Sequence, residues 1–432
     1  MSRFHAQVRT IPAERAGDFA HATHCRPPLS RLTDFSRVVR VHHVVRLTSV
    51  PIMTTHTRAR RIRLGVIGTG LVVKRMHLPT LQSTPEHYEI VAFANDTREP
   101  AEEFAAQAGL SMAQYHADYH DLLRRDDVEA VLVTVPIPLL YTVARASLEA
   151  GKHVLCEKPT GVDLAEGQAF LALADAFPRQ KVMVAETCFY RDDLRLARSL
   201  LDAGVIGRVH LMTWHFVSQL VPRQGFYSST PWRQVPRYRG GPHLDAGVHH
   251  LAQIRLLCGD VERLQGFIQY ANPTMGGPSD LVLNLHFVST AIGSYVAGYL
   301  PIPTPRDSTD LRLYGSEGVL SVDHRHLRVT RPNGSVDEYV LQSDWGCHNE
   351  QKNFYEAVVH DAPIVGTIAQ SYHTMLLIMR ALDSAEQNQL IEITDAPNGL
   401  SEAGVPLWRP HGATGLFDGL PCTIERTESK EQ

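Results

Sequence analysis

Long apolar runs are what this sequence most clearly lacks. None reaches the roughly 18–20 residues that a membrane-spanning helix needs. The longest candidate, residues 130–140, is broken by Pro136 and Pro138. Cysteine is scarce as well: Cys25, Cys156, Cys188, Cys258, Cys347 and Cys422 are scattered, with no C-x-x-C pair. That argues against a disulfide framework and a thiolate zinc site, and fits a reducing, cytoplasmic setting. Neither a G-x-S-x-G elbow nor an H-E-x-x-H motif is present, so hydrolase and zincin chemistry have no support. A net charge of -4 gives no general reason to expect nucleic acid or another polyanion as partner. What is there is 432 residues, 44% hydrophobic and 20% charged, which is ordinary for a soluble protein and long enough for two domains.

The first 60 residues stand apart, with ten arginines, three acidic residues and six histidines but no lysine. They sustain neither a helical nor a strand period, and hold no apolar core for a secretory signal. The expectation is translation from Met53, just ahead of Arg58-Ala-Arg-Arg-Ile-Arg63, with the upstream part unfolded or artefactual. Organellar import through residues 1–52 is the alternative. Removing those residues takes away eight arginines and three acids and moves the net charge from -4 to -9.

From residue 61 the pattern becomes regular. Ile62-Arg-Leu-Gly-Val-Ile67 reads as a buried strand, followed by Gly68-Thr69-Gly70 and a helix pattern to residue 81. Residues 89–94, 130–135 and 182–185 read as further strands, and 100–109, 141–150 and 164–177 as helices. Strands alternating with helices imply a parallel sheet covered on both faces. After residue 186 the segments alternate instead. In Leu281-Val-Leu-Asn-Leu-His-Phe287 every odd position is apolar, the mark of a half-buried antiparallel strand. Helices over 247–257, 349–359 and 369–386 could cover its apolar face. The amphiphilic outer face offers a self-association surface for a homodimer or homotetramer. Residues 396–432, rich in glycine and proline, read as a loosely attached tail.

Three stretches carry chemistry. Gly68 and Gly70 sit after a strand and before a helix, where one allows a tight turn and the other lets backbone approach a pyrophosphate. The third small position of that fingerprint is Val73, which implies looser helix–strand packing. At the end of the second strand Asn95 takes the usual acidic place, followed by Asp96, with Arg98 in reach; the carboxylate favours NAD and the arginine NADP, so both stay open. Next, Val154-Leu155-Cys156 runs into Glu157-Lys158-Pro159. A lysine at the carboxyl end of a parallel strand faces a ligand, and Pro159 restricts its direction. Glu157 is either a cofactor contact or the partner of that lysine. Finally, Trp232-Arg233 precedes Gly240-Gly-Pro-His-Leu-Asp245-Ala-Gly-Val-His249. Asp245 and His249 are spaced to share a helix face, where a carboxylate orients an imidazole for work as a general base. His116 and His120, flanking Asp118, have metal-ligand spacing but lie in a polar connector and read as surface histidines.

In that order, the glycine turn with His77-Leu-Pro79, Glu157-Lys158-Pro159 and the Gly240–His249 segment resemble the Gfo/Idh/MocA oxidoreductase family over residues 61–395. Ala185-Glu186 before Tyr190-Arg191, with Thr230-Pro-Trp-Arg233, looks most like its fungal-type branch. The resemblance implies an α/β Rossmann NAD(P)-binding domain over 61–185. An α+β domain over 186–395, built on a large, mainly antiparallel open sheet, would follow. It implies that Lys158, Asp245 and His249 are catalytic, with His249 the acid/base and Asp245 binding a substrate hydroxyl and supporting the histidine. NAD or NADP would be held by Gly68, Thr69, Gly70, Leu71, Asn95, Arg98, Pro136, Glu157, Lys158, Trp232 and Arg233. No metal is implied. The chain departs from the family at Val73, at Val135-Pro136-Ile137, at Leu140 and at Ala252.

The reading is an enzyme transferring hydride between NAD(P) and a secondary alcohol or carbonyl of a sugar, cyclitol or related small molecule. A non-catalytic NAD(P)-binding regulator and an aldehyde or imine reductase are the alternatives.

Overall fold

The computed structural model describes residues 45–47, 60–305, 309–342 and 345–430. Most of the expectation about residues 1–60 therefore lies outside the described residues. One part of it is corrected: β1 (Val45–Leu47) pairs antiparallel with a strand near the carboxyl end of the chain.

A six-stranded parallel sheet comes first. It is built from β2 (Ile62–Ile67), β3 (Tyr88–Ala94), β4 (Tyr115–His116), β5 (Ala130–Val133), β6 (His153–Glu157) and β7 (Val182–Ala185). The order is β4-β3-β2-β5-β6-β7. Alternate residues of its strands enter two separate apolar clusters. Leu132, Leu155 and Met183 go to one, and Val131, Val133, Val154 and Val184 to the other. Burial on both faces is why these strands read as unbroken apolar runs. The chain turns outward from β2 through β3 to β4, then crosses back to β5. Such a reversal leaves a crevice beyond the carboxyl ends of β2 and β5, where ligands bind in sheets of this kind.

The second sheet has eleven strands. Alongside β1 it contains β8 (Val209–Gln219), β9 (Val261–Gln269), β10 (Asp280–Phe287), β11 (Ile292–Leu300), β12 (Thr309–Gly315), β13 (Gly318–Asp323), β14 (His326–Thr330), β15 (Ser335–Gln342), β16 (Ile391–Glu392) and β17 (Thr423–Lys430). They run in the order β1-β17-β15-β14-β13-β12-β8-β11-β10-β9-β16, antiparallel except where β8 meets β11. Leu281, Leu283, Leu285 and Phe287 face the core, as their spacing requires, and the Ile368–Gln387 helix packs on the neighbouring β9. On the opposite face Phe267 and Ile292 stay half exposed.

The expected loose tail is corrected. β17 runs along the whole of β15, and Trp408, Leu420 and Ile424 are buried. Arg426 of β17 also pairs with the buried Asp337 of β15 at 3.0 Å. The expected 164–177 helix divides into Leu164–Leu171 and Leu173–Ala176. Among the described residues no helix is long and apolar enough to cross a membrane.

Candidate active site

The crevice opens into a cavity of about 1040 Å³. At one end stands the glycine turn. Gly68 has φ of 96°, and a Cβ there would sit 2.6 Å from the backbone oxygen of Thr134, just past β5, so any side chain is excluded. A Cβ on Gly70 would meet nothing within 4 Å, which leaves its backbone open to the cavity. Leu71 and Val72 begin the following helix and line the cavity too, so free N–H groups of a helix start face it. Val73 is fully buried and opens a π-helical turn, Val73–His77. A widened helix backbone thus accompanies the branched side chain where a small residue was expected. These are features a dinucleotide pyrophosphate requires, and the residues fit it.

Asn95 fixes the turn from beside it. Its Oδ1 accepts the N–H of Thr69 at 3.0 Å, and its amide donates to Thr97. Asn95, Asp96, Thr97 and Asp118 line this end. Arg98 does not, because its guanidinium turns to Glu102 at 2.8 Å, and Thr69 shows the cavity no surface either. Gly68, Gly70, Leu71, Asn95, Pro136, Glu157, Lys158, Trp232 and Arg233 all reach the cavity, together with Asp245 and His249. His120 bonds Asp118 and His116 lies 3.5 Å from Arg125, on the polar connector.

At the other end three charged groups are locked together. Lys158 leaves β6 through a cis peptide bond to Pro159, and its Nζ donates to the backbone oxygen of Asp245 at 2.7 Å and to Oδ1 at 3.1 Å. Arg233, on the short helix Pro231–Gln234, donates to Asp245 Oδ2 at 2.6 Å, and its guanidinium lies 3.9 Å over the Trp232 ring. Burial opposes the charge on Asp245, but Lys158 and Arg233 outweigh it and hold the carboxyl well below the usual range. Tyr299 adds a hydroxyl that is buried and has no hydrogen-bond partner in the structure. Burial, helped by the Asp245 charge, pushes that phenol upward and keeps it a donor.

One expected pairing is corrected, and of the two alternatives left open for Glu157 the side-chain pairing with Lys158 does not form. Asp245 does not support His249; His249 Nδ1 lies 2.7 Å from Glu186 Oε1. The reason is electrostatic: two cations claim the Asp245 carboxylate, and the turn between the residues is π-helical over His243–Gly247 rather than α-helical. Glu157 takes His77 as its side-chain partner, at 2.9 Å, rather than the Lys158 ammonium. Burial raises the Glu157 carboxyl, yet His77, Lys158 and His249 bring it below the ordinary value.

Sequence reasoning missed Tyr299 and the placement of Glu186. Ligand atoms of Glu186, Cys188 and His249 lie within 4.8 Å of one another. Burial, aided by Glu186, pushes the Cys188 thiol far up, so it offers no thiolate there.

A glycine turn at a strand-order reversal, opening onto the same space as a lysine and a histidine, is the architecture of an NAD-binding oxidoreductase. Known proteins narrow it. Residues 62–186 match the family model "Oxidoreductase family, NAD-binding Rossmann fold", and residues 194–321 match "GFO/IDH/MocA C-terminal domain". The dTDP-3,4-didehydro-2,6-dideoxy-alpha-D-glucose 3-reductase of Streptomyces violaceoruber is 30% identical over 309 residues, covering 67% of this chain and 83% of its own. An uncharacterised Saccharomyces cerevisiae protein is 25% identical over 76% of this chain and 97% of its own. The solved structure of an oxidoreductase from Thermotoga maritima superposes with a TM-score of 0.71 at 26% identity, covering 78% of this chain and all of that one. The chain belongs to the Gfo/Idh/MocA oxidoreductase family.

Proposed function

We propose that the protein interconverts a secondary alcohol and its carbonyl on a sugar, cyclitol or related small molecule. The observation that carries this is the shared cavity: the glycine turn lies at one end and Lys158, Asp245 and His249 at the other. NAD bound along the turn supplies the hydride acceptor or donor. His249 takes the hydroxyl proton on Nε2, the ring nitrogen left over from the Glu186 contact. Lys158 has three donors and gives two of them to Asp245, so the third remains for the substrate oxygen, where it stabilises developing negative charge. The Tyr299 hydroxyl is placed to bind a second substrate hydroxyl. Tyr227, Trp232 and Tyr238 also line the cavity.

The preferred cofactor in this reading is NAD rather than NADP. Asp96 and Asp118 line the far end, whereas the only lysine and arginine among the described lining residues are Lys158 and Arg233. A 2′-phosphate would meet two carboxylates and no cation. Self-association through the outer face of the large sheet is supported by its exposed apolar residues. A reducing, cytoplasmic setting is supported by the described cysteines, none joined to another in a disulfide.

NADH fluorescence titration followed by a panel of polyols, aldoses and aldehydes tests the proposal. Reduction of NAD by a polyol is the expected result. Tight NADH binding with no turnover across the panel would reject it in favour of a regulator.

A further inference from the structure

Glu186 stands directly behind His249. It is 1% exposed, and its Oε1 lies 2.7 Å from Nδ1 of the imidazole. Its chain neighbours Ala185 and Thr187 line the cavity, but Glu186 itself does not. The same Oε1 accepts the N–H of Cys188 at 3.2 Å, where the turn Thr187–Phe189 begins. The carboxylate is thus anchored to backbone on one side and to the ring on the other.

We infer that Glu186 is a positioning residue that sets the tautomer of His249 for proton transfer, an inference that rests on the oxidoreductase reading above. A carboxylate accepts hydrogen bonds and does not donate them. The contact therefore puts a proton on Nδ1 and leaves Nε2 with the lone pair that a hydroxyl proton needs. In the oxidative direction the substrate O–H bond breaks and an Nε2–H bond forms. The positive charge that appears on the ring then lies against a buried negative one. In the reductive direction the same bond is remade and the charge pair disappears. Glu186 touches neither substrate nor cofactor in either direction.

Other titratable groups around the ring do not compete for this role. Glu157, Cys188 and the adjacent His250 also face the imidazole, and Lys158 and Asp245 share its cavity. Glu157 is bonded to His77, and Asp245 is held by two cations. Burial, followed by the charges of His249 and His243, keeps His250 neutral well below its ordinary range, and its Nδ1 lies 2.5 Å from the Tyr295 hydroxyl.

Glu186→Gln separates positioning from folding. Glutamine keeps the size, but one atom position meets both the Cys188 N–H and His249 Nδ1, and where the amide N–H takes that position the imidazole faces a donor in place of a lone pair. That reverses the favoured tautomer. In the full-length protein kcat should fall by about 10²–10⁴ while KM and NADH affinity change little. The acid limb of the oxidation profile should move to lower pH, and Glu186→Asp should recover part of the rate. The tautomer can also be read without turnover, from ¹⁵N spectra of histidine-labelled protein, with the His249 signals assigned by their loss in His249→Gln. Expected is a protonated Nδ1 in the wild type and a protonated Nε2 in Glu186→Gln. Unchanged His249 signals in the variant, or a wild-type kcat and pH profile, would overturn the inference. A spectral switch between the wild type and Glu186→Gln, with no substrate turned over by the wild type, counts against the oxidoreductase reading instead.

Discussion

Asp245 and Lys158 are joined twice, once through the backbone oxygen of Asp245 at 2.7 Å and once through its Oδ1 at 3.1 Å. With Arg233 on the other carboxylate oxygen, one anion holds the two cations of the cavity in place. Removing one member of a largely buried ion pair typically costs about 3–5 kcal/mol, because the partner charge is left without compensation. Asp245→Ala should lose stability of that order in urea unfolding. Asp245→Asn should lose less, since the amide oxygen can still accept.

Turnover should depend on Lys158 and His249 far more than cofactor binding does. Lys158→Ala should lower kcat by about 10²–10³, the loss seen when one preorganised donor is removed from a developing oxyanion. His249→Ala should fall at least as far. NADH titration of both variants should remain close to wild type; loss of binding in either would place that residue on the cofactor rather than the reacting oxygen.

Stability should decline on mild acidification. Burial holds His243 at about 3, below its ordinary 6.5, and lowers His250 and His373 in the same direction. Below the ordinary value the unfolded chain takes up a proton that the folded chain refuses. The stability is therefore complete above pH ~6.5 and drains as pH falls toward 3. For His243 alone the loss between pH 7.5 and 5 is about 2 kcal/mol. Urea midpoints at those two pH values measure it. His243→Gln should flatten the dependence.

Cofactor choice should follow the carboxylates at the adenosine end. NADH should bind at least about tenfold more tightly than NADPH, and Asp96→Ser should narrow the gap by removing a repulsion from the 2′-phosphate. Equal affinities in the wild type would mean that Arg98 leaves Glu102 on binding.

The outer sheet face gives a prediction about assembly. Phe267 stands opposite Val282, and Val282 opposite Val296, so an apolar row crosses three strands on a half-exposed surface. Phe267→Glu should convert an oligomer into monomers in light scattering without altering the far-ultraviolet spectrum. A wild-type protein that is already monomeric would remove this face as an interface.

Much of this is legible in the sequence. The alternation in Leu281–Phe287 and the Gly109 stop of the Arg98–Ala108 helix arise from local rules, so sequence carries them. A polar strand near the sheet edge was not legible. β17 has a charged pattern that suits a solvated tail, and it lies as a strand along the whole of β15, where its Arg426 meets the buried Asp337. The site divided along the same line. Lys158 announced itself by its place at a strand end, and Gly68 by its place after one. The Asp245–His249 spacing pointed to a pair that does not form, since spacing reports reach and not which of several charges wins. Glu186 lies 63 residues from its imidazole, and no local signal spans that distance.

The apolar interior is not divided where the two sheets meet. One continuous cluster runs from Ile62 and Leu155 through Tyr190 and Trp214 to Leu377 and Ile424. Tyr190 ties it across, with its hydroxyl bonded to Asn353 and to the N–H of Gly366. A chain cut after residue 186 would bare greasy surface on both fragments, so neither half can be lent to another protein as a ready-made module. The nucleotide-binding half and the large sheet share one interior and should melt as one object.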